Sequence, residues 1–381
     1  MAAYEETSEA GDLLVEFDSL LSLTRDCFEQ LGVPRGDAET VADVLIDANL
    51  HGVPSHGFQR VPIFMRRVRA GLAGGAEHVS IVVESGPLCR MDAGQALGPA
   101  SAVKALDHAL ALAREFGVGF VAIGGSTHFG AAGYYARRAA RAGSVGIIVA
   151  NAFKRMAPYG AADVFLGTNP LAIGIPFANH DPFVLDMATS IAAQGRITRA
   201  RDLDEQLPDG LALDAQGRPT NDPAAALAGS LLPVGGPKGS GLALAINLLA
   251  VLFAGADSDD EMASLYKDFD RPQNAGHIFI AIEAARLGDP GLRLDAIVER
   301  LVALQPLEGT SAVHYPGQQG ARLAHARRQS GIPVSTAEIF DVAETCGAYG
   351  LGDLQQRALA LLARTRPRSE GSPPDASAGR H

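Results

Sequence analysis

The stretch Ser55-His56-Gly57-Phe58-Gln59-Arg60 sets a hydroxyl, an imidazole and a guanidinium close together in the chain. Reduction of a 2-oxo acid calls for that set. A cation must hold the carboxylate, a proton donor must meet the oxygen as hydride reaches C2, and a third group must orient the donor. Arginine grips a carboxylate through two parallel hydrogen bonds. Histidine exchanges protons near neutral pH. An adjacent hydroxyl can orient the ring or relay its proton. If the segment is helical, His56 and Arg60 stand at i and i+4 on one face. Spacing alone also fits a helix-capping serine, a surface histidine and a solvated arginine, and it favours that plainer reading.

Three further clusters carry ligand chemistry. Gly124-Gly125-Ser126-Thr127-His128-Phe129-Gly130 follows an apolar run and leads into a helical pattern. Its backbone can approach a phosphate, and His128 can meet a cofactor or a substrate. A glycine turn with an incidental histidine fits equally well. Gly167-Thr168-Asn169-Pro170 and Asp186-Met187-Ala188-Thr189-Ser190 flank apolar strands, where α/β enzymes place ligand loops. Turn and capping chemistry is the commoner use of such residues. Gly235-Gly236-Pro237-Lys238-Gly239-Ser240-Gly241 places a lysine among glycines at a helix start. That is a phosphate or ribose contact, or a flexible connector. It is not a Walker A loop, because the G-x-x-x-x-G-K-[ST] spacing fails.

Other searches fail in informative ways. The nearest match to a G-x-G-x-x-G dinucleotide fingerprint is Gly117-Val118-Gly119-Phe120-Val121-Ala122. It ends a helix and enters a strand, so no helix N-terminus would face a pyrophosphate. Any NAD(P) site here is expected to lack the usual Rossmann loop. His51 and His56 are five apart rather than i, i+4, with no carboxylate suitably close in sequence, so no metal is expected. No Gly-x-Ser-x-Gly or Cys/His nucleophile pattern occurs.

These clusters need a scaffold. The chain has 381 residues, enough for two or three structural units, and 47% are hydrophobic. Residues 13–50 carry helical spacing. Leu20, Leu23, Cys27 and Leu31 precede a stop at Gly32, and a second helix is capped near Asp37 with Val41, Val44, Leu45 and Ala48 inward. Strands are expected around 78–92 and at 118–125, 145–151, 171–177, 182–188 and 277–283. Helices are expected at 98–116, 132–142, 239–255, 292–304, 317–329 and 336–364. Residues 205–223 read as loop, and Ala-Asp-Ser-Asp-Asp-Glu (256–261) as an acidic linker. The mixed order indicates an α/β or α+β enzyme.

The net charge of −11 argues against nucleic acid and anionic membranes but permits a small anionic substrate. Three scattered cysteines, Cys27, Cys89 and Cys346, suit a reducing cytoplasm. The N-terminus lacks a signal pattern, and the longest apolar run, 242–256, reads as a buried helix rather than a membrane span. Residues 366–381 have a disordered composition.

Taken together, the segments resemble the type-2 malate/L-lactate dehydrogenase family. The matching stretches are DANLHGVPSHGFQRVPIFMRRVRAGL, GQALGPASA, STHFGAAGYYARRAARAGSVGIIVAN, MAPYGAADVFLGTNPLAIGIPF, VLDMATS, LALDAQGRPTNDPAAAL and LLPVGGPKGSGLALAINLLA, covering most of 15–285. The resemblance implies a mixed α/β fold with a largely antiparallel sheet. A non-Rossmann NAD(P)-binding domain (91–304) would be inserted in a helical domain made from both chain ends (1–90 and 305–365). It implies a homodimer using NAD or NADP. It makes Ser55 part of a charge relay, His56 the proton donor, His128 catalytic, and Arg60 the carboxylate anchor, with Thr168 at the substrate. His128, Phe129, Gly130, Ala131 and Ala132 would meet the cofactor, as would Asp186, Met187, Ala188, Lys238 and Gly239.

Two departures bear on the substrate. Gln194, before Gly195 in the pocket region, stands where relatives often carry His or Arg. Pro316-Gly317-Gln318-Gln319 replaces a signature close to Pro-Gly-Glu-Arg and loses both charges. The expected activity is NAD(P)H-dependent reduction of a small 2-oxo acid or oxidation of the 2-hydroxy acid. Reduction of a cyclic imino acid such as Δ1-piperideine-2-carboxylate is the alternative. A 2-oxo acid lyase or isomerase and a non-catalytic binding protein are the readings from other classes.

Overall fold

The computed structural model describes residues 12–286, 288 and 291–364; the tail 366–381 lies outside the described residues. The chain opens with β1 (Leu13–Val15), α1 (Phe17–Glu29) and α2 (Arg35–Leu50). Two 3₁₀ turns, Pro54–His56 and Phe58–Arg60, lead into α3 (Val61–Arg69). Then come β2 (Ser80–Ser85), β3 (Leu88–Asp92), α4 (Gly98–Phe116), β4 (Val118–Ser126), α5 (Ala132–Arg141) and β5 (Ser144–Ala150). β6 (Leu171–Ile175), β7 (Phe183–Met187) and α6 (Gln194–Asp202) follow. A small lobe holds β8 (Ala212–Leu213), β9 (Pro219–Thr220), α7 (Pro223–Ala228) and β10 (Ser230–Leu231). α8 (Pro237–Leu249) continues as a π-helical segment, Ala250–Ala254. The last elements are β11 (Ala275–Glu283), α9 (Gly291–Val302), α10 (Gln318–Ser330), β12 (Ile332–Val334), α11 (Thr336–Ala348) and α12 (Gly352–Arg364).

Seven strands form one sheet in the order β2-β3-β4-β11-β5-β6-β7. Every neighbouring pair is antiparallel except β3–β4. The fold is mixed α/β with a largely antiparallel sheet, as the resemblance implies. α4 and α5 bury one face through Leu106, Leu110, Tyr135 and Ala139 against Val121, Ile148 and Phe279. The end of the α8 segment covers the other, where Ala254 meets Ala122 and Ile278. A separate apolar core joins α1, α2 and α3 to α11 and α12, so both chain ends build one helical layer.

Several elements differ from their sequence reading. Leu13–Val15 is a strand paired with β12, because pairing satisfies backbone groups at both chain ends. α2 starts before Asp37, whose carboxylate accepts from Ala76 N–H (2.6 Å) instead of capping the helix. Residues 205–223 contain β8 and β9. α6 escapes the periodicity test because only Ile197 and Ala200 are buried on it. The 336–364 helix breaks at Gly350, held at φ 75°. β2 and β3 belong to the sheet, so the sheet begins at Ser80, ahead of residue 91.

The linker reading fails at Asp259, which is fully buried. Only one face of α8 is buried, with Ala243 and Ile246 inward and Leu248 and Leu252 exposed by 58% and 70%. Pro237–Ala254 is the one described helix long and apolar enough to cross a membrane. The failed fingerprint has a packing explanation. Gly117 (φ 89°) ends α4 in the left-handed region, and a Cβ on Gly119 would sit 2.0 Å from the Ala109 carbonyl oxygen.

Candidate active site

His56 sits in the loop between α2 and α3, and α2 itself aims it. The side chain of Asn49, buried near the end of α2, accepts from Phe58 N–H (2.6 Å). Gly57 passes so close that a Cβ there would lie 1.9 Å from Asn49 Oδ1. The segment is therefore two 3₁₀ turns hinged at Gly57, and the single helix assumed for the i, i+4 pairing of His56 and Arg60 is not formed. Ser55 Oγ lies 3.1 Å from His56 Nδ1, the bond expected of a relay. Gly57→Ala is expected to keep the fold and lower kcat about 10²-fold by displacing His56. Steady-state kinetics beside a thermal melt tests it, and an unchanged kcat would count against a fixed loop.

The structure brings His128 onto His56. Their rings stack with centroids 5.4 Å apart at 26°. Gly130 N–H donates to His128 Nδ1 (3.2 Å), which leaves the ring proton of the neutral form on Nε2. Gly130 itself (φ 86°) is pressed against Val44 of α2, where a Cβ would fall 2.8 Å from Cγ1. The next ring in this array was missed from sequence. His277 on β11 is 1% exposed and stacks on Phe129 with centroids 4.4 Å apart. Its Nε2 reaches the Thr127 carbonyl (3.1 Å) and Ser126 Oγ (3.0 Å), fixing the strand end that carries His128.

Burial keeps all three imidazoles uncharged. Burial first and the Arg60 charge second push His56 down to about 3. His128 lies well below its usual range, through burial and then through His56, Arg60 and His277. Burial pushes His277 down to about 4, against the bond to Thr127. In the unfolded chain each titrates near 6.5, so that state binds more protons in acid, and stability falls as pH drops below about 6.5. His277 is expected to contribute a slope of about 1.4 kcal/mol per pH unit between its folded and unfolded values. His277→Gln should flatten the pH dependence of unfolding free energy by about one proton over that interval. Equal slopes would mean that His277 is not held neutral.

Arg60 is turned toward Tyr266, whose hydroxyl it meets and whose ring lies 5.5 Å from Cζ. Its Nε is buried without a partner among the described residues. Tyr266 had no signal in the sequence, nor had Arg155, whose Nε is also buried and unpartnered. Asp259 holds the 167–169 loop through Gly167 N–H (2.7 Å) and Asn169 Nδ2 (2.7 Å). Burial pushes its carboxyl up to about 6 against those bonds. The Thr168 carbonyl accepts from Thr189 N–H and Oγ1 (2.9 and 3.0 Å), and Val234 N–H bonds the Thr189 carbonyl (2.9 Å). Segments 167–170, 186–190 and 233–239 thus run side by side.

The remaining predicted residues divide. Gly195, at the start of α6 beside exposed Gln194, faces Ser55: a Cβ there would lie 3.4 Å from Ser55 Cβ. Lys238 is exposed in the first turn of α8, which starts without a side-chain cap. Gly239 packs on Val234, where a Cβ would be 2.1 Å from the carbonyl oxygen. Phe129, Ala131 and Ala132 turn their side chains into the core. Asp186 accepts from Gly133 N–H (2.8 Å) at the start of α5, and Met187 and Ala188 are half-buried beside it. Gln318 bonds His314 Nδ1 (3.1 Å), Gln319 is exposed, and the Pro316 carbonyl docks on Val184 N–H (2.9 Å). Asp47, passed over in the search around His51, lies 3.2 Å from its Nδ1 and pairs with Arg137. Burial raises the Asp47 pKa, and Arg137 and His51 more than offset it.

The profile of the family described as malate/L-lactate dehydrogenase matches residues 15–342. The chain is 37% identical over 303 residues to (2R)-3-sulfolactate dehydrogenase (NADP(+)) of Chromohalobacter salexigens, covering 79% of this chain and 89% of that one. It is 34% identical over 305 residues to ureidoglycolate dehydrogenase (NAD(+)) of Escherichia coli K12, covering 79% and 86%. The structure of sulfolactate dehydrogenase from Methanocaldococcus jannaschii superposes with a TM-score of 0.82 at 34% identity, over 89% of this chain and 98% of that one. A likeness that spans most of each chain, in sequence and in fold, makes this protein a member of the malate/L-lactate dehydrogenase family.

Proposed function

We propose that this chain is an NAD(P)-dependent dehydrogenase that interconverts a small 2-hydroxy acid and its 2-oxo acid, with Arg60 on the carboxylate and His56 moving the proton at the C2 oxygen. One observation carries the reading. An imidazole bonded to a serine hydroxyl, its pKa pushed down by burial and by Arg60, stands beside an arginine whose Nε lacks a partner among the described residues. The nicotinamide, when bound, takes or supplies the hydride. Lys238 at an uncapped helix start fits a phosphate, and His128, with its Nδ1 taken by Gly130 N–H, has Nε2–H for a ring or carboxamide contact.

The chemistry of this chain's own residues follows from the charges. In oxidation, neutral His56 accepts the hydroxyl proton at Nε2 while Nδ1–H donates to Ser55 Oγ. In reduction, His56 must first be protonated, and Arg60 opposes that. A substrate carboxylate on Arg60 cancels that repulsion, so binding the acid raises the His56 pKa. Thr168, with Gln194 and Gly195 near Ser55, would line the substrate. The half-buried segment Asp186–Ala188, with Lys238, would meet the cofactor, and the sheet and its helices would form the cofactor domain. The partner expected is a second copy, supported by the exposed Leu244 and Leu248 of α8 and Leu252 of the segment that continues it. The three free, buried thiols suit a reducing cytoplasm.

The test mixes the protein with NADH or NADPH and a panel of 2-oxo acids and cyclic imino acids and follows absorbance, with light scattering for the dimer. Turnover of a 2-oxo acid is expected. Turnover of cyclic imines alone would move the assignment to imine reduction. Substrate conversion without cofactor would make it a lyase or isomerase. Cofactor binding without any turnover would make it a binding protein.

A further inference from the structure

A second cluster of reactive side chains lies away from the histidine pair, at the edge of the sheet. Glu84 on β2 and Cys89 on β3 are cross-strand partners, and α4 lays His108 over the same face. One donor atom from each of the three lies within 4.8 Å of the other two. His108 Nε2 is 2.5 Å from Glu84 Oε2. Cys89 is buried and packs with the core under α4, while Glu84 is exposed and His108 half-buried. An ion would therefore enter from the carboxylate and imidazole side and find the sulfur at the bottom.

From this we propose a zinc-type metal site formed by Glu84, Cys89 and His108, distinct from the reaction centre. The donor set selects the class of ion. Calcium and magnesium take oxygen ligands, whereas thiolate, imidazole and carboxylate together suit Zn²⁺ and its spectroscopic substitute Co²⁺. Three protein donors leave a fourth position for water. Binding replaces the thiol proton of Cys89, which is released to the buffer, and breaks the direct His108–Glu84 bond.

The site's place in the fold gives the ion its role. β2 is exposed along its whole length and has β3 as its sole partner in the sheet. Glu84 reaches from it to α4, through His108. A bound ion would clip the edge hairpin to the helix that packs on the sheet, and so act on stability and not on turnover.

Cobalt titration of the full-length protein, first treated with chelator, tests the proposal. Co²⁺ is expected to give a thiolate charge-transfer band in the near ultraviolet that Cys89→Ser abolishes and Cys346→Ser retains. The second variant controls for the Cys27–Cys346 pair, whose sulfurs lie 3.7 Å apart in the core. His108→Ala should weaken Zn²⁺ binding at least about tenfold, as removal of one ligand requires. Zn²⁺ should raise Tm in the parent and not in Cys89→Ser or in Glu84→Gln on the exposed strand. Activity without added metal should be the same in His108→Ala. Cobalt binding without a thiolate band would place the ion elsewhere, for instance on the stacked active-site histidines, and overturn the proposal. So would a band that survives Cys89→Ser.

Discussion

His56→Ala is expected to lower kcat by about 10²–10⁴-fold, the range for loss of a general acid–base group. The dissociation constant of NADH or NADPH, measured by fluorescence titration, should stay within a few-fold of the parent. The asymmetry follows from position. His56 belongs to the 55–60 loop that Asn49 pins, whereas the residues assigned to the cofactor lie on the 128–132 loop, β7 and α8. Ser55→Ala removes the hydrogen bond to Nδ1 and should cost less than loss of the ring. Parent-like turnover in His56→Ala would remove the imidazole from the mechanism and transfer attention to His128, whose Nε2–H points away from the Gly130 contact.

Arg60→Ala is expected to raise KM for the acid about 10–100-fold, since a charge-assisted hydrogen bond contributes about 1.5–3 kcal/mol. Lys at this position keeps the charge but loses the planar fork, so Arg60→Lys should recover part of the affinity only. A second effect separates a substrate anchor from a merely structural arginine. Arg60 is the second cause, after burial, of the depressed His56 pKa. Its removal should move the acidic limb of the kcat/KM profile for hydroxy-acid oxidation to higher pH, because that limb reports His56 as a base in the free enzyme. An unchanged KM with an unchanged limb would show that Arg60 serves only its contact with Tyr266.

Gln194 and Gln318 depart from the family pattern in different ways. Gln194 begins the helix whose next residue, Gly195, faces Ser55. Gln318 forms a neutral hydrogen bond with His314 beside the docking of Pro316 on β7.

The sequence by itself determined the clusters whose members are neighbours in the chain. Ser55 with His56, and His128 with Gly130, stood out as polar stretches between apolar runs, although spacing alone fitted caps and turns at least as well. The resemblance to a family followed from several such blocks in one order. The strands expected at 118–125, 145–151 and 277–283 form within two residues of those bounds, since a sheet covered on both faces leaves nearly continuous apolar runs. The tertiary structure alone decided which blocks meet. Asn49 and Phe58, Arg60 and Tyr266, and Asp259 with the 167–169 loop are joined by isolated hydrogen bonds between segments, which impose no period on the chain. A buried aspartate reads as linker charge, and His277 reads as strand filler, until the fold supplies the neighbours that remove water from them. That removal sets the protonation of the three histidines, so the chemistry available to His56 is a property of the packed fold and not of its motif.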